Sequence, residues 1–230
     1  MKKNIIMIGG SRGIGQAILQ QIHQDNNVYV ASRTDDNLKL PNTTHIPFDA
    51  LSDKLNLSLL PEEIHGFVYC PGSISLKPFK MLNSDDFEAD MQINFISLVK
   101  VVNDIMPRMT AASSMVFFST VAVGTGMPYH TSVAASKGAV EGFTKALAAE
   151  YAPRIRVNAI APSLVDTDLA GRLLNNDKKR ALMAERHPLK RVGTAEDIAN
   201  AAVYLLSSKS SWMTGQIFSV DGGISSLKSN

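Results

Sequence analysis

The sequence has little cysteine and no excess of charge of either sign. Cys70 is the single cysteine among 230 residues, so the chain has no intrachain disulfide and no cysteine-based zinc site, as is typical of a reducing compartment. Lysine and arginine number 23 against 21 acidic residues, and this balance lacks the charge signature of a polyanion binder. We therefore expect no nucleic-acid partner and no metal site.

Long apolar runs are absent as well. The N-terminal run at 4–8 is interrupted by glycine after five residues, too early for the apolar region of a signal peptide. No other segment approaches the roughly 20 residues of a membrane-spanning helix. These absences predict a cytoplasmic protein without membrane contact. With 45% hydrophobic residues and no repeat or linker, the chain can bury a substantial core in a single domain, 1–230.

Short apolar runs alternate with amphipathic segments. The runs predict seven strands, at 4–8, 28–31, 45–48, 66–70, 114–119, 156–161 and 216–220. Their continuous hydrophobicity is typical of strands that are covered on both faces. Helical patterns lie between them, over 14–22, 84–106 and 132–151, and from Thr194, where Asp197 is placed for a capping box. The alternation predicts an α/β fold, a Rossmann-type, doubly wound and mostly parallel sheet flanked by helices, with a frayed tail at 225–230.

A glycine-rich loop follows the first predicted strand. In "GGSRGIG", Gly9, Gly13 and Gly15 precede a helix, with Ser11 and Ile14 between them. Glycines there allow a tight turn and close backbone approach, while the N–H groups and the positive end of the helix attract a pyrophosphate. No Gly-Lys-Ser/Thr follows, which distinguishes the loop from a Walker loop. The loop predicts a dinucleotide site.

The end of the second predicted strand indicates which dinucleotide is bound. An NAD site usually has an acidic residue there to hold the ribose 2′-hydroxyl, but this chain has Ser32 followed by Arg33. Arg12 in the glycine loop adds a second guanidinium, and guanidinium groups suit bidentate phosphate contacts. We therefore expect NADP(H) rather than NAD(H). The alternative is that Arg33 is only a surface residue.

Further motifs follow the glycine loop in order. They include "FDALSD", "MQINFISL", "SKGAVEGFTKALAAEY" and "MTGQIFSVDGG". With these motifs the chain resembles the short-chain dehydrogenase/reductase family over essentially its whole length. The resemblance implies that Asp49 lies near the adenine, Gly72 beside the cofactor and Thr167 near the nicotinamide carboxamide. It also implies a small carbonyl or alcohol substrate and a homodimer or homotetramer built on the long central helices.

The same resemblance implies the catalytic residues, one of which is missing. Asn94 matches the family's helix asparagine, Thr120 stands at its serine, and Lys137 is its lysine, which also holds the nicotinamide ribose. The family's tyrosine, four residues before the lysine, falls on Val133. In carbonyl reduction the hydride comes from the cofactor, and an acid must protonate the developing alkoxide. Valine can neither donate nor accept that proton.

Two titratable side chains precede the valine. Thr131 and Ser132 are good N-cap residues, so we expect Tyr129 and His130 in the loop that enters the helix. His130 has a near-neutral pKa in its ordinary state, whereas Tyr129 needs a lowered pKa, so His130 is the preferred proton donor. The alternative is that both residues only pack at the start of the helix.

Two functional hypotheses follow. The first is an NADP(H)-dependent oxidoreductase that interconverts a carbonyl and an alcohol by hydride transfer, with an altered acid/base residue. The second is a catalytically silent NADP(H)-binding sensor or partner subunit. Residues 165–190 are predicted to form a helical lid over the substrate, and they carry no recognisable signature of the substrate's chemistry.

Overall fold

The computed structural model describes residues 2–228, which build one seven-stranded sheet. The strands are β1 (Lys3–Ile8), β2 (Asn26–Ser32), β3 (Thr43–Pro47), β4 (Ile64–Tyr69), β5 (Met109–Phe118), β6 (Ile155–Pro162) and β7 (Ile217–Val220). Their order is β3-β2-β1-β4-β5-β6-β7, and every neighbouring pair is parallel. All seven predicted strands are confirmed, and the sheet is wholly rather than mostly parallel.

Helices cover both faces of the sheet. They are α1 (Gly13–Ile22), α2 (Ser84–Met91), α3 (Ser97–Ile105), α4 (Ala122–Thr125), α5 (Thr131–Tyr151), α6 (Asp177–Glu185) and α7 (Ala195–Leu206). Successive side chains of a strand point to opposite faces, so Ile5 packs with the α1 and α7 side chains while Ile6 packs with those of α3 and α5. This burial on both faces explains the continuous apolar runs of the strands.

The segment predicted as one helix from Ser84 to Met106 is interrupted. After α2, residues Gln92–Ile96 form a π-helical turn, and α3 continues from Ser97. Such turns are rare and occur often at functional sites. Here the turn contains Asn94, which is 1% exposed and hydrogen-bonded on both sides. The interruption therefore fixes the direction of this amide.

The starts of two helices differ in how well the sequence predicts them. Thr194 and Asp197 form the predicted capping box at α7, each side chain accepting from the other residue's backbone N–H. At α5 the predicted N-cap is wrong, because the helix already begins at Thr131 and His130 is the N-cap residue without a side-chain cap bond. The hydroxyl of Ser132 donates to Asp90 instead.

The predicted helical lid contains a single-turn 3-10 helix, Asp168–Ala170, and α6. Its helical character is confirmed, and its action as a lid stays a prediction. The predicted frayed tail is described only to residue 228, and residues 229–230 lie outside the described part. At its start, the backbone N–H of Ser225 donates to the carboxylate of Asp221. Within residues 2–228 no helix combines the length and the apolar character needed to cross a membrane.

Candidate cofactor and active site

The residues predicted for the site lie along one edge of the sheet. Because all strands are parallel, their carboxyl ends share an edge, and ligands of such sheets bind there, where the strand order reverses. Here the reversal lies between β1 and β4. The glycine loop follows β1, Arg33 follows β2, and Gly72 follows β4. Thr120 and Thr167 follow the next two strands.

Three positions of the glycine loop favour glycine, two through their backbone conformation and one through lack of space. Gly9 and Gly13 adopt φ values of +77° and +54°, in the left-handed region that favours glycine. A Cβ on Gly15 would lie 2.0 Å from the carbonyl oxygen of Gly9, and one on Gly13 would lie 3.4 Å from Thr167 Cγ2. The loop is therefore a close-fitting backbone cradle, and Thr167 lies against it.

The start of α1 carries an uncompensated positive end. Its N-cap residue, Arg12, is extended and makes no side-chain cap bond, and the first turn contains no acidic residue. Ile18 and Ile22 are buried against the sheet, whereas Ile14 is half-buried at the loop. The amide of Asn37 donates to the carbonyl of Ser11 at 3.1 Å and closes the loop from the side of β2. This arrangement fits an anion such as a pyrophosphate.

The two arginines lie in different environments. Arg12 pairs with Asp36, its Nη2 lying 3.0 Å from Oδ2, and this bond lowers the pKa of the Asp36 carboxyl. Arg33 is exposed. Ser32 is buried, and its hydroxyl donates to the carbonyl of Thr34. Sequence reasoning missed Asp36, although the acidic pair in "TDDN" directly after Arg33 is a signal for it.

Asp49 follows β3 and closes a turn. Its carboxylate accepts from the backbone N–H of Leu51 at 2.9 Å, and its own N–H donates to the carboxylate of Asp53 at 2.7 Å. These bonds account for an acidic residue at this position, while its contact with an adenine stays a prediction. The described residues contain no cluster of three His, Cys, Asp or Glu side chains able to hold a metal ion.

The side chains of Asn94 and Lys137 come together beside Gly72, in the loop after β4. A Cβ built on Gly72 would lie 3.1 Å from Asn94 Oδ1 and 3.3 Å from Lys137 Nζ. Asn94 Oδ1 accepts from the N–H of Ser73 at 3.2 Å, and its Nδ2 donates to Ser73 Oγ and Ser136 Oγ. The absent side chain at Gly72 therefore lets the lysine and the amide approach the same point from two helical segments.

Lys137 is 8% exposed and donates to the carbonyl of Phe118 at 2.9 Å. Burial lowers the pKa of its ammonium to about 8, and the nearby Cys70 and Asp90 oppose that lowering. Burial also raises the pKa of the Cys70 thiol to about 12. The lysine therefore loses its proton more readily than an exposed lysine does.

Thr120 lies directly beyond β5 and is half-buried. Its Oγ1 accepts from the N–H of Ala122 at 3.3 Å, a bond that holds the start of α4 and leaves the hydroxyl hydrogen for another acceptor. The preceding Ser119 is engaged elsewhere, since its hydroxyl donates to Glu141 at 2.6 Å.

Val133 occupies the first turn of α5 and is 5% exposed. Tyr129 is 57% exposed, with a left-handed φ of +69°. His130 Nδ1 lies 2.7 Å from the carbonyl oxygen of Pro128. Because a carbonyl only accepts, Nδ1 carries a proton, and Nε2 remains available to a ligand. The structure places both candidate donors before α5, as predicted.

Sequence reasoning missed a buried polar network beside the lysine. Asp90 is 3% exposed, and its two carboxylate oxygens accept from Ser73 Oγ at 2.5 Å and Ser132 Oγ at 2.6 Å. The signal was available, because Asp90 and Asn94 stand four residues apart in a segment whose following residues, such as Leu98, form the core.

Comparisons with known proteins agree with this geometry. A family model described as enoyl-(acyl carrier protein) reductase matches residues 48–225. The chain is 32% identical over 246 residues to 3-oxoacyl-[acyl-carrier-protein] reductase FabG of Chlamydia muridarum, covering 97% of this chain and 98% of that protein. The chain belongs to the short-chain dehydrogenase/reductase family. Members of this family of oxidoreductases bind nicotinamide cofactors and act on small molecules.

Two further similarities concern a solved structure with the same fold and a relative that is named inactive. A short-chain dehydrogenase family protein from Francisella tularensis superposes with a TM-score of 0.90 at 24% identity, covering 99% of this chain and 100% of that one, and shows the shared fold. The inactive 2-(S)-hydroxypropyl-CoM dehydrogenase 2 of Xanthobacter autotrophicus is 43% identical over 119 residues, which cover 50% of this chain and 52% of that protein.

Proposed function

We propose that this protein is an NADP(H)-dependent oxidoreductase that interconverts a carbonyl and an alcohol, with His130 as acid/base in place of the missing tyrosine. The observation that carries the proposal is the approach of Lys137 Nζ and Asn94 Oδ1 to the same point at Gly72, on the edge that also holds the glycine cradle. The relative named 3-oxoacyl-[acyl-carrier-protein] reductase supports 3-oxoacyl thioesters as the first substrates to test.

The residues fit a dinucleotide. Gly9, Ser11, Gly13, Ile14 and Gly15 would hold the pyrophosphate at the start of α1, since a Cβ at Gly15 has no room there.

Arg12 and Arg33 would hold the 2′-phosphate, with Arg12 leaving Asp36 for the stronger anion. Asp49 would lie near the adenine, Gly72 beside the nicotinamide end, and Thr167, which lies against the cradle, near the carboxamide. The absence of an acidic residue at Ser32 favours NADP(H) over NAD(H).

The proposed chemistry divides among four side chains. NADPH, when bound, supplies the hydride. Thr120 would donate its free hydroxyl hydrogen to the substrate carbonyl oxygen, and Lys137 would hold the nicotinamide ribose. Asn94, whose amide is bonded to Ser73 and Ser136, would keep the loop after β4 in place beside Lys137. His130, in the form protonated at both nitrogens, would donate the Nε2 proton to the developing alkoxide and keep its Nδ1 bond to Pro128.

Turnover by the His130→Ala variant tests this assignment. We expect kcat for NADPH-dependent reduction to fall by about 100-fold or more, since a positioned acid contributes about 10²–10⁴. The matched control is His65→Ala, at the amino end of β4, where the ring accepts from the N–H of Asn4. An unchanged kcat in His130→Ala shows that His130 is not the acid.

The second candidate is a catalytically silent NADP(H)-binding sensor or partner subunit. Val133 favours it, because a buried valine replaces the family's proton donor. The relative named inactive adds support over half of the chain. This candidate predicts that NADPH binds but is not consumed with any carbonyl, whereas the first candidate predicts both binding and consumption of NADPH.

We also propose a homodimer or homotetramer built on α3 and α5. A groove of about 440 Å³ lies between these helices, and its lining includes the apolar residues Val102, Met106, Phe143 and Leu147 as well as the polar residues Asn103, Glu150 and Arg154. The groove supports this arrangement because the apolar part of such a surface is stabilised when a second copy covers it.

A further inference from the structure

Asp90 lies inside the protein, and its carboxyl group is held by hydroxyl groups on both sides. Its side chain is 3% exposed, and each oxygen accepts from a different serine hydroxyl, Ser73 and Ser132. The loop after β4 provides one serine and the first turn of α5 provides the other. A buried charge is costly unless it is hydrogen-bonded and faces an opposite charge. The two serines supply the hydrogen bonds.

The opposite charge is Lys137. Ser73, which donates to Asp90, also accepts from Asn94 Nδ2 at 2.9 Å. Asn94 Oδ1 and Lys137 Nζ then flank Gly72, the residue before Ser73. Asp90 is therefore bonded through Ser73 to the amide that lies beside Gly72 together with the lysine, and the nearby Asp90 favours the charged form of Lys137.

Three other groups lie around Lys137, and none of them takes the place of Asp90. Cys70, after β4, faces the ammonium, but burial raises the pKa of its thiol to about 12 and the thiol is uncharged near neutrality. From β5 comes the uncharged carbonyl of Phe118. Glu141, one turn further along α5, accepts from the hydroxyl of Ser119 and is not among the groups that shift the pKa of Lys137.

We propose that Asp90 is a positioning residue that locks the loop after β4 to the start of α5 and keeps Lys137 an ammonium, able to hold the nicotinamide ribose. The inference rests on the cofactor binding of the proposed function and does not depend on turnover. Without Asp90, burial alone acts on the lysine, and Lys137 loses its proton at a lower pH.

The test is NADPH affinity measured against pH on the full chain, without substrate. In the wild type we expect affinity to fall as the pH rises through about 8, the pKa to which burial lowers Lys137. In Asp90→Asn the same fall should occur about one pH unit lower, because an opposite charge nearby typically shifts a pKa by about 1–3 units. Glu88→Gln is the matched control, since Glu88 is an exposed acid on the same helix.

Asp90→Thr provides a second neutral side chain of similar size if Asp90→Asn does not fold, and the same shift is expected. If the NADPH affinity of either folded variant falls at the same pH as that of the wild type, the inference is overturned. It is also overturned if the variant loses affinity equally at every pH. A wild type that binds no NADPH at any pH overturns the proposed function and this inference together. Binding with the expected shift but without turnover on any carbonyl contradicts only the oxidoreductase activity.

Discussion

Val133 is buried in the first turn of α5, four residues before Lys137, whose pKa burial lowers to about 8. At the residue scale, the sequence revealed this substitution because the surrounding motif keeps its spacing without a gap. Its spacing also marked Asp90 and its acidic pair marked Asp36, but the bond between Asp90 and Ser73 joins residues that are distant in sequence and that only the fold brings together. The pairing of Asp36 with Arg12 likewise depends on how the loop after β2 folds back.

Restoring the tyrosine tests the role of this position. In Val133→Tyr, a phenol would stand four residues before Lys137, where the family has its acid. We expect its kcat for carbonyl reduction to exceed that of Val133→Phe by about 100-fold, because only the tyrosine can donate a proton. Both variants share the overpacking cost of about 1–3 kcal/mol, so phenylalanine is the control. Equal rates in the two variants would show that the pocket does not deliver a carbonyl to this point.

At the scale of elements, the strands were predictable because burial on both faces leaves a continuous apolar run in each. The π-helical turn at Gln92–Ile96 was not, since hydrophobic periodicity does not register one extra residue in a turn. The start of α5 was misplaced because serine and threonine favour an N-cap in general, whereas Ser132 is used to bind Asp90.

The capping box of α7 makes a prediction about pH. Arg191 and the N–H of Thr194 hold the pKa of Asp197 well below its ordinary value of 3.8. A lowered pKa contributes stability above the ordinary value, and the contribution is lost as the pH falls through and below it.

Asp197→Asn should therefore lower the free energy of unfolding by about 1 kcal/mol at pH 7, and the difference from the wild type should shrink steadily below about pH 4. Denaturant titrations at several pH values measure it. Glu196→Gln, an exposed acid in the same first turn, is the control. A difference that stays constant down to pH 2 would contradict the ion pair's contribution.

At the scale of the molecule, the doubly wound parallel sheet was predictable from the alternation of elements and the right-handed crossover rule, whereas the order of its strands comes from the structure. The shared carboxyl edge of the sheet then collects the loops that carry the predicted site residues, although those loops are far apart in sequence. The groove between α3 and α5 was less predictable, because it forms only once the helices pack.

That groove predicts an oligomer that a surface substitution can dissociate. Ala146 is exposed on α5. Ala146→Arg should reduce the mass measured by light scattering from that of a dimer or tetramer to a smaller species, because a long charged side chain is costly to bury in an interface. The control is Ala111→Arg, at an exposed position near the amino end of β5. The same mass in wild type and Ala146→Arg would place the interface elsewhere or exclude one.

The most direct measurement follows NADPH consumption by the wild-type protein with 3-oxoacyl thioesters, ketones, aldehydes and quinones, alongside the affinities for NADPH and NADH. We predict tighter binding of NADPH than of NADH, together with consumption of NADPH on at least one carbonyl. Tight NADPH binding with no consumption on any of these substrates would contradict the oxidoreductase and favour the silent binding protein.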